Sequence, residues 1–376
     1  MKRVNSIVIV LLVLVQLTAC SKKGNDAAPP PGNKSGTEKV DNLVGSFMGK
    51  NNVTGMSLAI TKNGKLVYAK GYGFADKQTG QRVDTSTLFR ISSISKTVTA
   101  TAIMKLVEEG KLSLDDKIFG DGAILGHDFG TQPYKQYITD LTVKHCLSHH
   151  VGGWGNASND PTMVNQAMSA NQLISWILNN RPLDVAPGTT YAYSNVGFMI
   201  LGRVIEKVTG LSYEQYVKQH ILTPSGIKNM QIGGSTFADR KPNESRYHGV
   251  GAEDPYGYNF ERRDANGGWI ASAIDLIRLL VRIDGYSTVP DILQPASIQQ
   301  MTTPPFAYQG YGLGITLSGS TWSHGGSFPG SRSHWMRTSA GFCAVIFSNT
   351  SVSGLNTLLA AILNEPGVEW PEEDYF

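Results

Sequence analysis

Strand-forming sequence lies at the two ends of this chain, with a long helical stretch between them. Residues 55–72 alternate apolar and polar side chains on either side of Lys62-Asn63-Gly64-Lys65, and Asn-Gly is a strong hairpin signal because both residues tolerate positive φ. Strand character returns at 311–317, 321–324, 331–337 and 342–348. From about 111 to 285 the signals are mainly helical, best at 142–149, 163–178, 195–209 and 272–283, joined by long loops. Another helix over 93–109 carries Val98, Ala102, Ile103, Leu106 and Val107 at helical spacing and stops at Gly110, and a last amphipathic helix covers about 355–363. This order predicts an α/β fold of the α+β type, with one sheet region assembled from both chain ends and a helical region inserted between them.

With 376 residues, 41% of them hydrophobic and 17% charged, the chain has ordinary globular composition and can bury a sizeable core without crosslinks or metal. Its N-terminus is different. Met1-Lys2-Arg3 is followed by nine consecutive apolar residues at 7–15, too few to span a bilayer but suited to a secretory signal. Leu17-Thr18-Ala19-Cys20 resembles the lipobox of bacterial lipoproteins, in which Cys20 would be lipidated and hold the protein to a membrane. The expected organisation is a signal peptide at 1–19, a polar, Pro- and Gly-rich tether at 20–39, and one domain at 40–376. The protein would then be exported, periplasmic or on the cell surface. Without Lys2 and Arg3 the charge is close to neutral, so there is no electrostatic case for nucleic acid. Cys146 and Cys343 sit among apolar residues and read as buried thiols rather than a bridge.

Three short motifs could carry chemistry. Ser93 and Lys96 stand three apart at the start of the first buried helix, close enough for an amine to reach a hydroxyl. A desolvated lysine loses its charge readily and can then activate a serine; the alternative is a helix cap beside a solvated lysine. A second Ser-x-x-Lys, at Ser225 and Lys228, contains Gly226, follows Pro224 and reads as loop. Tyr193-Ser194-Asn195 opens the helix at 195, where a phenol and an amide can share a cleft or serve as surface packing and cap. His324-Gly325-Gly326-Ser327 is either a strand edge open to a substrate backbone or a simple turn. His145, His149 and His150 have ligand-like spacing but no His-Glu-x-x-His arrangement, so they read as helix-end packing and no metal is expected.

Taken together, the three motifs resemble the serine β-lactamase and penicillin-binding-protein superfamily. The likeness is greatest to the branch of class C β-lactamases, serine D-Ala-D-Ala carboxypeptidases and their esterase-like members. Leu88-Phe89-Arg90-Ile91, residues 141–149, Pro187-Gly188-Thr189 and Tyr311-Gly312-Leu313-Gly314 agree with it, over roughly residues 45–350. The resemblance implies a β-lactamase/transpeptidase-like fold with an antiparallel sheet flanked by helices, and catalysis without a cofactor. Ser93 would be the acylated nucleophile, Lys96 its proton partner, Tyr193 a general base or proton shuttle, and Asn195 a binder of the substrate amide. The backbone N–H groups of Ser93 and Ser327, beside Gly326, would form the oxyanion hole. No Glu-x-x-Leu-Asn occurs, so Tyr193 would serve both half-reactions.

One departure bears on substrate. Where β-lactamases of this branch carry Lys-Thr-Gly, this chain has His324-Gly325-Gly326, and a histidine there occurs in peptidase and esterase relatives. Lowering a tyrosine pKa from about 10 to about 7 needs roughly 4 kcal/mol, about what one cation at ~4 Å provides at an effective dielectric of ~20. Lys96 could supply one such charge, whereas a neutral His324 could not. The expected activity is therefore that of a peptidase, amidase or esterase on a small molecule or peptide, cell-wall peptide included. A class C-like β-lactamase and a non-hydrolysing penicillin-binding sensor are the alternatives.

Overall fold

The computed structural model describes residues 36–157 and 159–376. The segment expected to be a signal peptide, Cys20 and all but the end of the expected tether lie outside the described residues. The chain starts with helix α1 (Glu38–Asn51), two residues inside the segment assigned to the tether, and strands β1 (Gly55–Lys62), β2 (Lys65–Asp76), β3 (Gln81–Arg82) and β4 (Phe89–Arg90). A 3-10 turn, Ser92–Ile94, leads into α2 (Ser95–Glu108). The helical region contains α3 (Val143–Leu147), α4 (Ala170–Asn180), α5 (Asn195–Thr209) and α6 (Tyr213–Val217), then β5 (Gln231–Ile232), α7 (Asp264–Gly267), β6 (Trp269–Ala271), α8 (Ala273–Leu280) and α9 (Pro295–Met301). The last elements are β7 (Thr316–Ser318), β8 (Thr321–Phe328), β9 (Ser331–Arg337), β10 (Phe342–Ser348) and α10 (Leu355–Leu363).

The main sheet runs β3-β2-β1-β10-β9-β8-β7, so the two chain ends meet at an antiparallel β1–β10 pair, Met56 opposite Ser348 and Lys62 opposite Phe342. Side-chain alternation divides the core. Ala59, Val345 and Phe347 join the large cluster with α2 and α8, while Met56, Leu58, Ile60, Ala344 and Ile346 pack with α1 and α10. Covering both faces is why 342–347 reads as one unbroken apolar run. A second small sheet, β4-β6-β5, lies across the start of α2.

Several boundaries differ from the sequence pattern for identifiable reasons. The helix expected at 163–178 starts at Ala170. Arg262 binds the carbonyls of Thr162, Val164, Asn165 and Met168, removing acceptors that a first helical turn would use, Asn165 is left-handed, and Ser169 with Gln172 forms the capping box. Thr142 caps α3 through His145, and Ser148 and His149 lie beyond its end. Of the strand expected at 311–317 only Thr316 onward joins the sheet, with Tyr311 making a single bridge back to Thr316, because Gly314 (φ +73°) turns the chain against Lys96 and Ala100 of α2. Cys146 and Cys343 are free and buried.

Near the end of α8, burial pushes Asp284 and Asp291 up to about 6 from 3.8, against backbone hydrogen bonds and Arg337 that pull the other way. The folded protein therefore holds protons that the unfolded chain releases between about pH 3.8 and 6. The pair favours folding at acid pH and loses that contribution as pH rises through about 6. Asp291→Asn, which keeps an acceptor without the charge, is expected to raise Tm at pH 8 and not at pH 4. Equal shifts at both pH values would contradict this.

Candidate active site

Two sheets fix the turn that carries Ser93. Phe89 and Arg90 pair with Ala271 and Ile270, Ile91 N–H donates to the Trp269 carbonyl at 3.0 Å, and on the other side Ser333 Oγ donates to the Ile91 carbonyl at 2.7 Å. Ser92 takes a left-handed φ of 48°, a conformation disfavoured for serine and held here by its surroundings. Ser93 thus stands in a 3-10 turn ahead of α2 rather than in the helix itself. It lines a cleft of about 700 Å³ together with Tyr193, Asn195 and the β8 residues His324 to Phe328.

Lys96, one turn further on, is fully buried. Its Nζ lies 3.2 Å from Ser93 Oγ, 2.6 Å from Asn195 Oδ1 and 2.7 Å from the Asn266 carbonyl oxygen. Burial, and then the Arg263 charge, hold the amine well below its ordinary value, against the opposing pull of Asp160. A neutral amine has two N–H bonds and one lone pair. Asn195 and Asn266 occupy the two donors, which leaves the lone pair for the Ser93 hydroxyl.

Tyr193 packs on His149 with ring centroids 4.1 Å apart, and Lys96 Nζ lies 4.9 Å from its ring centroid. Burial raises its pKa, with Ser93 and Arg263 only partly offsetting. Its hydroxyl makes no well-aligned hydrogen bond. At neutral pH this is a phenol rather than a tyrosinate base, because burial outweighs the Arg263 charge that favours ionisation. His149 accepts the Ser194 N–H on Nδ1 at 3.1 Å, and burial holds it well below the usual imidazole range. The histidines read as helix-end packing thus have a second duty: His149 supports the Tyr193 loop from beneath.

Asn195 is the first residue of α5, capped by Ser194. Its amide is already engaged. Besides accepting from Lys96, it donates Nδ2 to Asp160 Oδ2 at 2.7 Å, and its backbone N–H donates to Asn156 Oδ1 at 2.9 Å. One Nδ2 hydrogen remains for a substrate. Asn156 and Asp160 were not read from the sequence; they stand in a loop without motif or periodicity, and only the fold brings them to α5.

Strand alternation orients β8. The turn Pro329-Gly330 makes Phe328 and Ser331 a hydrogen-bonded pair, so Gly326 and His324 also bond toward β9, while the backbone of Gly325 and Ser327 faces the other edge. On that edge β7 reaches only Ser323. The N–H groups of Gly325 and Ser327 are therefore open toward the cleft. Gly326 permits the approach: a Cβ there would stand 2.2 Å from the Ile91 carbonyl oxygen and 2.1 Å from Ser333 Oγ. His324 turns inward, 3% exposed, with Nδ1–H donating to the Gly325 carbonyl at 2.7 Å and Nε2 accepting from Tyr311 at 2.9 Å. Burial, then Lys96, push it down to about 3, so it carries no charge at neutral pH.

The model of the β-lactamase family matches residues 40–364. The chain belongs to this family. Protein flp of Staphylococcus aureus is 28% identical over 217 residues, 57% of this chain and 41% of that one, so this chain spans about two fifths of that relative. The octameric penicillin-binding protein homologue of Pyrococcus abyssi superposes with a TM-score of 0.71 at 25% identity, over 88% of this chain and 77% of that chain. D-amino acid amidase from Ochrobactrum anthropi superposes at 0.70 and 22% identity, over 87% and 97%. These matches agree with the antiparallel sheet and flanking helices described above. A β-lactamase family member with a buried, neutral His324 has no fixed charge at the position where Lys-Thr-Gly relatives carry one.

Proposed function

We propose that the protein is an exported serine hydrolase, anchored through Cys20, that forms an acyl-Ser93 intermediate on peptide, amide or ester substrates of the D-amino-acid type. The observation that carries this reading is the fully buried amine of Lys96, 3.2 Å from the Ser93 hydroxyl with both N–H donors occupied. Lys96 takes the Ser93 proton as Oγ attacks the carbonyl, and the N–H groups of Ser93 and Ser327 receive the oxyanion. As the carbonyl re-forms, the leaving group departs with a proton from the Tyr193 phenol, which is restored from protonated Lys96. Water then attacks the ester by the same route, with Lys96 neutral again and no carboxylate needed.

His324 and the fold shared with D-amino acid amidase favour an amidase, peptidase or esterase over an efficient β-lactamase. Intact-mass spectrometry of the soluble domain after a fluorophosphonate, and separately after penicillin, tests this. One fluorophosphonate adduct, absent in Ser93→Ala, is expected, with slow penicillin turnover. Fast penicillin turnover would favour the β-lactamase, and a lasting penicillin adduct the non-hydrolysing sensor. Labelling that survives Ser93→Ala would remove the catalytic assignment.

A further inference from the structure

The basic groups in and beneath the cleft are unequally engaged. Lys96, at the base of Ser93, is held well below its ordinary pKa by burial and is committed to Ser93, Asn195 and Asn266. Arg332 stands 3.6 Å from Glu253 and donates to the carbonyls of Phe328 and Ser331. His324 is neutral. Arg263 remains, and it is 6% exposed, with no carboxylate partner among the described residues.

The guanidinium is only partly used. Nη1 donates to Thr162 Oγ1 at 3.0 Å and approaches Met163 Sδ at 3.3 Å. Nε is buried without a partner, and Nη2 makes no hydrogen bond to the described residues. Asp160 is the carboxylate nearby that favours the charge, but its oxygens are taken by Thr162 and by Asn195 Nδ2. The group also stands next to the chemistry. Arg263 Nε and the carbonyl carbon of Ser92 are each 3.7 Å from the point where Gly267 would carry a Cβ. A guanidinium presents five donors in a planar fork suited to a carboxylate, and burying it without a counter-ion is costly. Such a cation at the wall of a substrate cleft is suited to a counter-ion that arrives with the substrate.

We propose that Arg263 binds a carboxylate on the substrate, so that this enzyme prefers acyl compounds carrying an anionic group near the scissile carbonyl. This rests on the serine hydrolase reading above. It gives the cleft a carboxylate lock on the Asn195 side, in place of one at His324. Bound substrate supplies acceptors for Nε and Nη2, while Nη1 keeps the 162–163 loop in place.

The test compares 4-nitrophenyl hemiadipate with its methyl ester, which differ in charge and little in length, after subtracting the rate with Ser93→Ala. Wild-type enzyme is expected to favour the anionic ester by about tenfold or more in kcat/KM, mainly through KM, with the preference shrinking as salt rises. In Arg263→Gln the ratio of the two values should fall toward one, and Arg263→Lys should recover part of it. Absence of an anionic preference in wild type overturns the proposal whether or not the variants fold. A ratio that persists in Arg263→Gln overturns it too, since Arg263 would then only hold the loop. Fluorophosphonate labelling of Ser93 run in parallel separates the two failures: labelling without anionic preference rejects the carboxylate site alone, whereas no labelling rejects the hydrolase reading beneath it.

Discussion

Lys96→Met is expected to slow acylation of Ser93 by roughly 10²- to 10⁴-fold, the contribution of a positioned general base, while the domain stays folded. Methionine has nearly the volume of the lysine stem and no charge to desolvate, so the packing around α2 survives. What it lacks is a lone pair 3.2 Å from Ser93 Oγ and the donors to Asn195 and Asn266. Leaving those two acceptors unpaired costs about 1 to 3 kcal/mol each, offset by no longer burying an amine. Fluorophosphonate labelling rates beside thermal unfolding curves separate the effects, and labelling at the wild-type rate would exclude Lys96 as the base. The pH dependence has a definite sign. Activity requires the amine deprotonated, so the wild-type rate falls as pH drops through the Lys96 pKa, which burial holds well below 10.5. Because the unfolded amine keeps its proton up to about 10.5, the folding penalty from this site also grows as pH falls. His324, held down to about 3, adds no inflection between pH 5 and 8.

Gly326→Ala is expected to abolish measurable turnover and to lower stability by about 2 to 4 kcal/mol, in the range of severe core strain. The new methyl would meet the Ile91 carbonyl oxygen at 2.2 Å and Ser333 Oγ at 2.1 Å. The first is backbone of the segment that leads into Ser93 and cannot turn away like a long side chain. Relief requires β8 to separate from that turn, which moves the Ser327 N–H away from Ser93 and exposes buried surface around Ser92 and Ser331. Hydrolysis of an activated ester and a urea titration measure both losses. Wild-type activity in a stable Gly326→Ala protein would mean that β8 does not supply the oxyanion donors. Gly325→Ala is the matching control for stability. Its Cβ meets nothing closer than His334 Nδ1 at 3.4 Å.

The three motifs were legible because each is short and its spacing matches a local structure. Asn195 starts α5 where the pattern placed it, and the strands at both ends pair into one sheet. Asp160, Asn156 and Arg263 were not legible. They lie in irregular segments, and nothing local distinguishes a loop aspartate that orients an amide from one that caps a turn. The helix expected from residue 163 failed because Arg262, far along the chain, takes the carbonyls of that segment. Periodicity cannot register such a competitor.

The protonation states were decided by tertiary structure. From the sequence, Lys96 could be a cation that lowers the Tyr193 pKa, and His324 reads as mostly uncharged. Burial works against the first and reinforces the second: it holds the Lys96 amine well below its ordinary value, keeps Tyr193 a phenol and pushes His324 down to about 3. Sequence determined which groups could react and in which local frames, because spacing and turn chemistry act over a few residues. Only the packed structure determined their charges, since a pKa depends on the water excluded and the partners gathered from distant parts of the chain.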